Sequence, residues 1–295
     1  MSATTASTMR IGPREFGWGE RTYVMGICNV TPDSFSGDGL VTSDDLEAAI
    51  ARTVAQARAM VSEGADLVDI GGESTRPGHV PVSAADEIAR VVPAITAVRA
   101  AFPYLPISID TTKPEVAEAA IDAGADLLND VWGVRTDEAM VRVAASRQRP
   151  IVLMHNRSEA VYDDVVAEVL ADLRAAMERA ERAGVEPGSI IIDPGIGFGK
   201  TADHNVTLLR GLSALCELGR PILLGTSRKS TLGRILDLPV EERLEGTLAT
   251  TALGVAAGVD VVRVHDVRPN VRAARVADAI VRGHWRAEAP QGGQP

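Results

Sequence analysis

The chain has 295 residues, of which 45% are hydrophobic and 24% are charged, and its formal net charge is −10 at pH 7. This composition is typical of a globular protein, and no apolar run approaches the ~20 residues that cross a bilayer. An acidic balance argues against general nucleic-acid binding, because phosphate neutralisation needs a basic face. The first 20 residues lack the apolar core of a secretory signal. We therefore expect a cytoplasmic protein with no nucleic-acid partner and no membrane partner.

Short apolar runs alternate with longer segments of helical spacing along most of the chain. Each run is rich in Val, Ile or Leu, as expected for parallel strands that are buried on both faces. The predicted strands are Tyr23–Asn29, Leu67–Gly71, Pro106–Asp110, Leu127–Asp130, Pro150–His155, Ile190–Asp193, Pro221–Gly225 and Val261–His265. An open doubly wound sheet gives the same local alternation. The count of eight, without a linker long enough to divide two domains, favours a single-domain α/β fold, a (β/α)8 TIM barrel over residues 23–284.

Both ends of the chain are predicted to lie outside the barrel. Residues 1–22 form a short N-terminal extension with Gly12, Pro13, Gly17 and Gly19, and these turn formers predict a small hairpin that closes the bottom of the barrel. Residues 285–295 have little apolar content and are predicted to be a disordered tail. We expect neither end to hold chemistry.

Each of the eight apolar runs reaches a polar or charged residue at or near its end. These residues are Asn29, Asp69, Asp110, Asn129 with Asp130, His155, Asp193, Ser227 with Arg228 and Lys229, and Arg263 with His265. In a closed parallel barrel all strand ends open on one face, where active sites lie. The chain has only three lysines, Lys113, Lys200 and Lys229, and each follows such a residue. The pattern therefore predicts one active site at this face.

Four of the segments after strands are richer in glycine and polar residues than a structural turn requires. They are Asn29–Gly39, Asp69–Gly78, Asp193–Thr201 and Gly225–Ser230. The first carries a single aromatic residue, Phe35, that can close on a ligand, and Arg76 in the second is placed to meet an anion. The fourth precedes a predicted helix, whose free N–H groups favour negative charge. The third ends like a phosphate-binding P-loop, but Pro194 stands where that motif needs glycine, so we reject that interpretation.

Eight segments match one known pattern in their order and spacing. They read MGICNVTPDSFSGDG, DIGGESTRPG, SIDTTKPEVA, NDVWG, VLMH, DPGIGFGKTADHN, GTSRKS and VRVHDV, and they span about residues 22–282. Together they resemble the dihydropteroate synthase family. The resemblance implies a (β/α)8 barrel that condenses 6-hydroxymethyl-7,8-dihydropterin diphosphate with p-aminobenzoate to 7,8-dihydropteroate in folate biosynthesis. It also implies a homodimer, a Mg²⁺ cofactor and a sulfonamide target, since sulfonamides mimic the benzoate.

The resemblance further implies a role for individual residues. The pterin site is formed by Asp110, Asn129, Met154, Asp193 and Lys229. The diphosphate site is formed by Asn29, Arg76, Arg263 and His265, with Asn29 also the metal ligand. The p-aminobenzoate site is formed by Phe35, Thr75, Pro77, Phe198 and Ser230. Arg263, His265 and Lys229 are the implied catalytic residues, since the main task is to stabilise the charge of departing diphosphate.

Three places depart from the family pattern. Gly37 and Asp38 stand where the family has Asp directly after the second Ser, and Trp132 replaces a small residue after NDV. In the loop at 155–164, the family's MHM stretch with its following Gly and Pro is replaced, so that the sequence from Met154 reads MHNRSEAVYDD. The alternative hypothesis is therefore an inactive or weakly active homologue that retains pterin or sulfonamide and sulfone binding and has another, unknown role. A third hypothesis, a methyltetrahydrofolate-dependent methyltransferase domain, leaves ESTRPG and GTSRKS without a purpose.

Overall fold

The computed structural model describes residues 8–30, 43–73, 81–133 and 137–283 of the chain. The strands in these ranges are β1 Thr8–Ile11, β2 Arg14–Gly17, β3 Tyr23–Asn29, β4 Leu67–Gly71, β5 Ile107–Asp110, β6 Leu127–Asp130, β7 Ile151–Met154, β8 Ile190–Asp193, β9 Leu223–Leu224 and β10 Val261–Val264. The α-helices are α1 Ser43–Glu63, α2 Ala84–Ala101, α3 Pro114–Ala123, α4 Ala139–Ser146, α5 Val165–Arg182, α6 Ala202–Arg210, α7 Ser230–Leu236, α8 Leu244–Ala256 and α9 Val267–Val281. None of the helices in these ranges is both long and apolar enough to cross a membrane.

Strands β3 to β10 form a parallel barrel. In the described part of the chain, hydrogen-bonded neighbours follow the order β8, β7, β6, β5, β4, β3, β10 and β9. A parallel bridge between Ile192 and Ile222 then joins the two ends of this order and closes the ring. Helices connect successive barrel strands. The predicted single-domain TIM barrel is confirmed, and the open doubly wound sheet is excluded.

The predicted strand starts differ from the observed ones where a proline begins the apolar run. Pro106, Pro150 and Pro221 precede the ladders of β5, β7 and β9, because proline has no N–H to donate. Their carbonyls still accept hydrogen bonds from the neighbouring strands, for example from Ile192 N–H to Pro221 at 2.9 Å. His155, Gly225 and His265, predicted as strand ends, lie beyond the last ladder residue. They therefore begin the loops of the barrel mouth.

Proline and glycine mark several of the helix ends in the described part of the chain. Pro114 is the first residue of α3, where a missing N–H has no cost. Gly64, Gly124, Gly184 and Gly258 follow helix ends with φ between +96° and +116°, a left-handed conformation that only glycine adopts readily. These caps determine where the chain leaves each helix to begin the next strand.

The N-terminal hairpin fills the bottom of the barrel. β1 and β2 pair antiparallel, with Met9 opposite Phe16, so the predicted hairpin is confirmed. The Phe16 ring centroid lies 4.7 Å from that of Tyr23 and 5.7 Å from that of Trp18. These rings share one buried cluster with residues from the starts of the barrel strands, including Leu127. The barrel interior is thereby closed at the end opposite the mouth, while the predicted tail at 285–295 lies outside the described residues.

Candidate active site

The strand register lines up four predicted pterin residues along the barrel wall. Asp110 at the end of β5 is the Cα partner of Asn129 in β6, and Met154 at the end of β7 is the Cα partner of Asp193 in β8. All four residues are buried. They therefore form one continuous arc across four neighbouring strands at the mouth.

Arg263 of β10 joins this arc through a buried ion-pair cluster. Its Nε donates to Asp69 Oδ2 at 2.6 Å and its Nη2 donates to Asp110 Oδ2 at 2.6 Å. Asn129 Nδ2 donates to the same oxygen of Asp69 at 2.9 Å. Burial lowers the pKa of the Arg263 guanidinium, but Asp69 and Asp110 outweigh this and raise that pKa above its ordinary value. Arg263 therefore remains a fixed cation.

The Asp110 carboxyl is buried, and the charge of Arg263 only partly offsets the effect of that burial on its pKa. Burial raises the pKa of Asp110 to about 7, although Arg263 acts to lower it. The second carboxylate oxygens of Asp69 and Asp110, both Oδ1, are buried without a hydrogen-bond partner in the described part of the chain. An unsatisfied buried acceptor costs about 1–3 kcal/mol. This site therefore favours a ligand that presents N–H groups.

Lys229 contributes the cation on the other side of the mouth. It directly precedes α7, and its Nζ donates to the carbonyl of Ile196 and lies 4.5 Å from the ring centroid of Phe198. Burial lowers the pKa of Lys229 to about 8, while Asp193 acts to raise it. Burial raises the pKa of Asp193, while Lys229 opposes this increase. The two groups thus form an acceptor and donor pair at the end of β8.

The two halves of the site meet beside Gly225. A Cβ atom built on Gly225 lies 3.8 Å from Lys229 Nζ, 3.9 Å from Arg263 Cβ and 4.0 Å from Asp193 Oδ2. Three predicted site residues from three different segments thus converge on one point of the wall. The absence of a side chain at Gly225 leaves the space between them open to a ligand.

His265 is held at the edge of the site by the loop after β9. Its Nδ1 lies 3.0 Å from the Ser227 hydroxyl, which also accepts the His265 backbone N–H at 3.1 Å. Arg228 has a φ of +57°, a strained value for a residue with a side chain, and donates twice to Asp266, at 2.6 and 2.9 Å. These contacts join the loop that carries Lys229 to the residues that follow β10.

The remaining predicted residues lie at the rim or outside the described residues. The Asn29 side chain is exposed at the end of β3, Ser230 is exposed as the first residue of α7, and Phe198 is half-buried. Asn29 and Ser230 are therefore not part of the buried cluster around Arg263. The predicted residues Phe35, Thr75, Arg76 and Pro77, together with Gly37 and Asp38, lie outside the described residues.

The departures around strands six and seven belong to the wall of the barrel. Trp132 is half-buried, and its backbone N–H donates to Asp130 Oδ1 at 2.9 Å. A Cβ atom on the next residue, Gly133, would come within 2.6 Å of Leu153 Cα, so the turn packs closely against β7. Asn156 Nδ2 donates to the Val131 carbonyl at 3.1 Å. The substituted segments therefore tie two neighbouring loops together.

Comparison with known proteins agrees with this arrangement. The family model described as pterin binding enzyme matches residues 25–265. The dihydropteroate synthase of Clostridium beijerinckii is 52% identical over 275 residues, which are 93% of this chain and 100% of that protein. The chain belongs to the dihydropteroate synthase family. The predicted family and its transferase activity are thereby confirmed.

Other members of the dihydropteroate synthase family support the same assignment. The Bacillus subtilis enzyme is 47% identical over 91% of this chain and 92% of its own length. A Xanthomonas albilineans structure with 4-aminobenzoic acid has a TM-score of 0.85 and 44% identity, covering 94% of this chain and 98% of that chain. A structure of the same enzyme in complex with 7,8-dihydropteroate has a TM-score of 0.81 and 42% identity, covering 92% of this chain and 98% of that chain. The barrel is thus that of the family.

Two features of the site escaped the sequence analysis. Asp69 received no ligand role there, because an Asp at a strand end is more often a turn residue, yet it is the shared acceptor of Arg263 and Asn129. Lys113 lies within 2.5 Å of Glu73 and 2.6 Å of the fully buried Glu87. Glu73 also accepts the Val82 N–H at 2.8 Å, so these contacts join the first residue of the ESTRPG segment to Val82, which lies beyond its end. For Lys113, the signal that the sequence offered was that lysine is rare in this chain.

Proposed function

We propose that this protein condenses 6-hydroxymethyl-7,8-dihydropterin diphosphate with p-aminobenzoate and releases 7,8-dihydropteroate and diphosphate. The observation that carries the proposal is the joined cluster of Asp110, Asn129, Asp193, Lys229 and Arg263 at the barrel mouth. A relative of this chain has been solved with 4-aminobenzoic acid and with 7,8-dihydropteroate. The cluster supplies acceptors for the pterin and a cation for the leaving group.

In this proposal the pterin ring is recognised along the arc of β5 to β8. The Asp193 carboxylate accepts two hydrogen bonds from the amino-pyrimidinone edge, and Lys229 donates to ring acceptors. Asn129 has its amide nitrogen engaged by Asp69, so its amide oxygen is the group that it offers to a ligand N–H. Asp110 supplies a further acceptor, and Met154 packs on the ring. A ligand N–H beside Asp110 favours its carboxylate form.

The chemical step needs stabilisation of negative charge more than it needs a base. The carbon–oxygen bond to diphosphate breaks with its electrons leaving on oxygen, and the amine nitrogen then bonds to the same carbon and loses a proton. The aromatic amine is neutral at pH 7 and attacks without prior deprotonation. Arg263 and His265, with Arg76 as a further proposed ligand, stabilise the departing charge.

We propose that p-aminobenzoate lies between the Phe198 ring and the start of α7. Phe198 lies beside Lys229, and Ser230 is the first residue of α7. The amine thereby approaches the pterin from the side of the loop after β8. Phe35, Thr75 and Pro77 complete this site in the proposal.

We propose Mg²⁺ as the cofactor, with Asn29 as its protein ligand. The described residues contain no group of three acidic, histidine or cysteine side chains arranged to hold a metal ion. Mg²⁺ that is bound to phosphates needs only one or two protein oxygens and keeps several waters. The exposed amide of Asn29 fits this requirement. When bound, the ion would neutralise part of the leaving-group charge.

Purified protein with the dihydropterin diphosphate, Mg²⁺ and labelled p-aminobenzoate is expected to form labelled dihydropteroate at about 0.1 per second or faster, where typical enzymes turn over at roughly 1–1000 per second. Chelation of Mg²⁺ is expected to lower this rate by roughly tenfold or more, because the charge of the diphosphate is then less well balanced. Asp193→Asn, which has almost the same shape, is the matched control and should lose product formation. Absence of product from wild-type protein that still binds a pterin or a sulfonamide would support the inactive homologue instead.

We also propose that the protein is a homodimer that pairs through α8 and α9. Leu253 on α8 is 68% exposed, and Val276 and Ile280 on α9 are 61% and 79% exposed. Adjacent exposed apolar side chains of this size are typical of an interface. Light scattering at micromolar concentration should give twice the chain mass, and Leu253→Asp with Ile280→Asp should halve it. Tyr104→Ser, at a residue that is 76% exposed, is the control, and a monomeric wild type would refute the proposal.

The cytoplasmic location stays a prediction.

A further inference from the structure

The loop after β8, residues 194–201, is intrinsically difficult to hold in one conformation. Gly195, Gly197 and Gly199 have φ values of +67°, +85° and +54°, and glycine loses more backbone freedom on ordering than any other residue. This loop nevertheless places the Phe198 ring and the Ile196 carbonyl against Lys229. Its conformation must therefore be maintained by contacts from outside the glycines.

The ammonium group of Lys200 supplies three of these contacts. Its Nζ lies 2.9 Å from His155 Nδ1 and donates to the carbonyls of Gly195 and Phe198, both at 3.0 Å. A lysine ammonium has three protons, so these partners account for all of them. Lys200 thus joins the beginning and the end of its own loop and connects both to the loop after β7, residues 155–164.

His155 connects Lys200 to α5. It is fully buried, and because Nδ1 accepts from Lys200, the hydrogen-bond network assigns the ring proton to Nε2, which donates to Asp172 Oδ2 at 3.1 Å. Burial, together with the charge of Lys200, lowers the pKa of His155 to about 4. The ring is therefore neutral at pH 7, which is the form that this arrangement requires.

A second set of contacts joins the same two loops. Arg157 donates to Asp172 at 2.7 Å and to Glu168 at 2.7 Å, and its guanidinium lies 4.6 Å from the ring centroid of Tyr162. The Tyr162 hydroxyl donates to the Gly199 carbonyl at 2.9 Å. Arg157 and Tyr162 therefore connect α5 to the end of the loop after β8.

The two backbones also meet too closely for any side chain between them. A Cβ atom on Gly195 would lie 1.8 Å from the His155 carbonyl oxygen, and one on Gly199 would lie 2.2 Å from the Arg157 carbonyl oxygen. The loops therefore interlock, and the loop after β7 acts as a rigid support for the loop after β8.

We propose that Lys200 is a positioning residue for the transfer reaction: by tying its loop to His155, it keeps Phe198 and the Ile196 carbonyl in place against Lys229 and the aromatic amine. This inference rests on the proposed function. Burial lowers the pKa of Lys200 to about 7, so folding keeps this group at an energetic cost. A half-buried ammonium that contacts mainly carbonyls and one imidazole has a role in geometry more than in stability.

The test compares Lys200→Met with wild-type protein by hydrogen exchange and by kinetics. The N–H groups of Gly195, Gly197 and Phe198 are hydrogen-bonded to Asp193, Asn205 and Gly195. Exchange of peptides from residues 194–201 should become at least tenfold faster, while peptides from α5 should be unchanged. The KM for p-aminobenzoate should rise by roughly tenfold to a hundredfold, as expected for a displacement of ~1 Å. The Kd of a pterin ligand should rise less than the KM for p-aminobenzoate, because Asp110 and Asn129 keep their contacts while Asp193 and Lys229 each lose a fixed contact with the loop.

Tyr162→Phe serves as a milder variant, since it removes one oxygen atom and one tether. Exchange near Gly199 and the KM for p-aminobenzoate should both rise about threefold, while Tyr104→Phe, at an exposed position, should change neither. Unchanged loop exchange and an unchanged KM for p-aminobenzoate in both Lys200→Met and Tyr162→Phe would overturn the proposal. A rise in the KM for p-aminobenzoate without faster loop exchange would also overturn it. Wild-type protein without product formation would refute the proposed function, and the exchange data alone would then decide whether Lys200 holds the loop.

Discussion

Arg263→Met is expected to lower kcat/KM by about 10²–10³-fold or more and to lower the free energy of unfolding by about 3–5 kcal/mol. The guanidinium is the cation proposed for the leaving group, so its loss removes stabilisation of the transition state. It also bridges Asp69 and Asp110, which are 0% and 6% exposed, and its removal leaves both carboxylates buried without their cation. Steady-state kinetics and urea denaturation measure the two effects separately.

The pH dependence of the same variant gives a further check. Arg263 acts to lower the pKa of Asp110, which burial raises from 3.8 to about 7, so the pKa rises further in the variant. The folded protein then keeps a proton that the unfolded chain releases above about pH 4. Stability of the variant should therefore fall as the pH rises, and its deficit should be larger at pH 8 than at pH 5.

Two controls separate the charge of Arg263 from its geometry. Arg263→Lys keeps a cation but lacks the planar fork that reaches both carboxylates, so it should recover part of the stability and little of the activity. Arg268→Met removes a mostly exposed arginine that lies 3.7 Å from Glu63, and it should change the free energy of unfolding by less than about 1 kcal/mol. Wild-type activity in Arg263→Met would contradict the proposed role of the cluster.

Phe16→Ala is expected to lower the free energy of unfolding by about 3–5 kcal/mol while leaving the kcat/KM of the folded protein unchanged. The Phe16 ring is 1% exposed and packs against both Trp18 and Tyr23 at the bottom of the barrel. Its removal leaves a cavity in the cluster that closes the barrel interior, far from the mouth. Urea denaturation, with kinetics at a temperature where the variant is folded, measures both quantities.

Tyr104→Ala is the matched control for Phe16→Ala, because this aromatic residue is 76% exposed and buries little surface. It should change the free energy of unfolding by less than about 0.5 kcal/mol. A folded Phe16→Ala protein with strongly reduced activity would show that the hairpin influences the mouth, contrary to the separation of the two ends.

The strands were predictable because a parallel strand buried on both faces must be apolar along its whole length. β3, β4, β6 and β8 have the predicted bounds. β9 shows the limit of this signal: the run Pro221–Gly225 is apolar, but its ladder contains Leu223 and Leu224 alone, with a single bridge from Ile222 to Ile192. Apolar composition reports burial, whereas the extent of a ladder depends on which N–H groups the neighbouring strands can reach.

The site was predictable as a set of residues but not as a set of contacts. Motif order identified Asp110, Asn129, Asp193, Lys229 and Arg263, because each lies in a segment that resembles the family. It assigned no contact to Lys200, whose partners lie in the loop after β7. The two loops contact each other because their backbones meet at Gly195 and Gly199. The spacing of residues along the sequence does not indicate such a contact.

The sequence by itself determined the alternation of strand and helix, the glycine caps, the N-terminal hairpin and the family. The first three follow from local rules, since burial period and turn chemistry are read within a few neighbouring residues, whereas the family follows from the order of motifs along the chain. Only the tertiary structure decided which charges pair at the mouth. Asp69 and Arg263 are 194 residues apart, and closure of the barrel alone brings their side chains to 2.6 Å. The polar strand ends thus specified the members of the site, and the register of the closed sheet specified their partners.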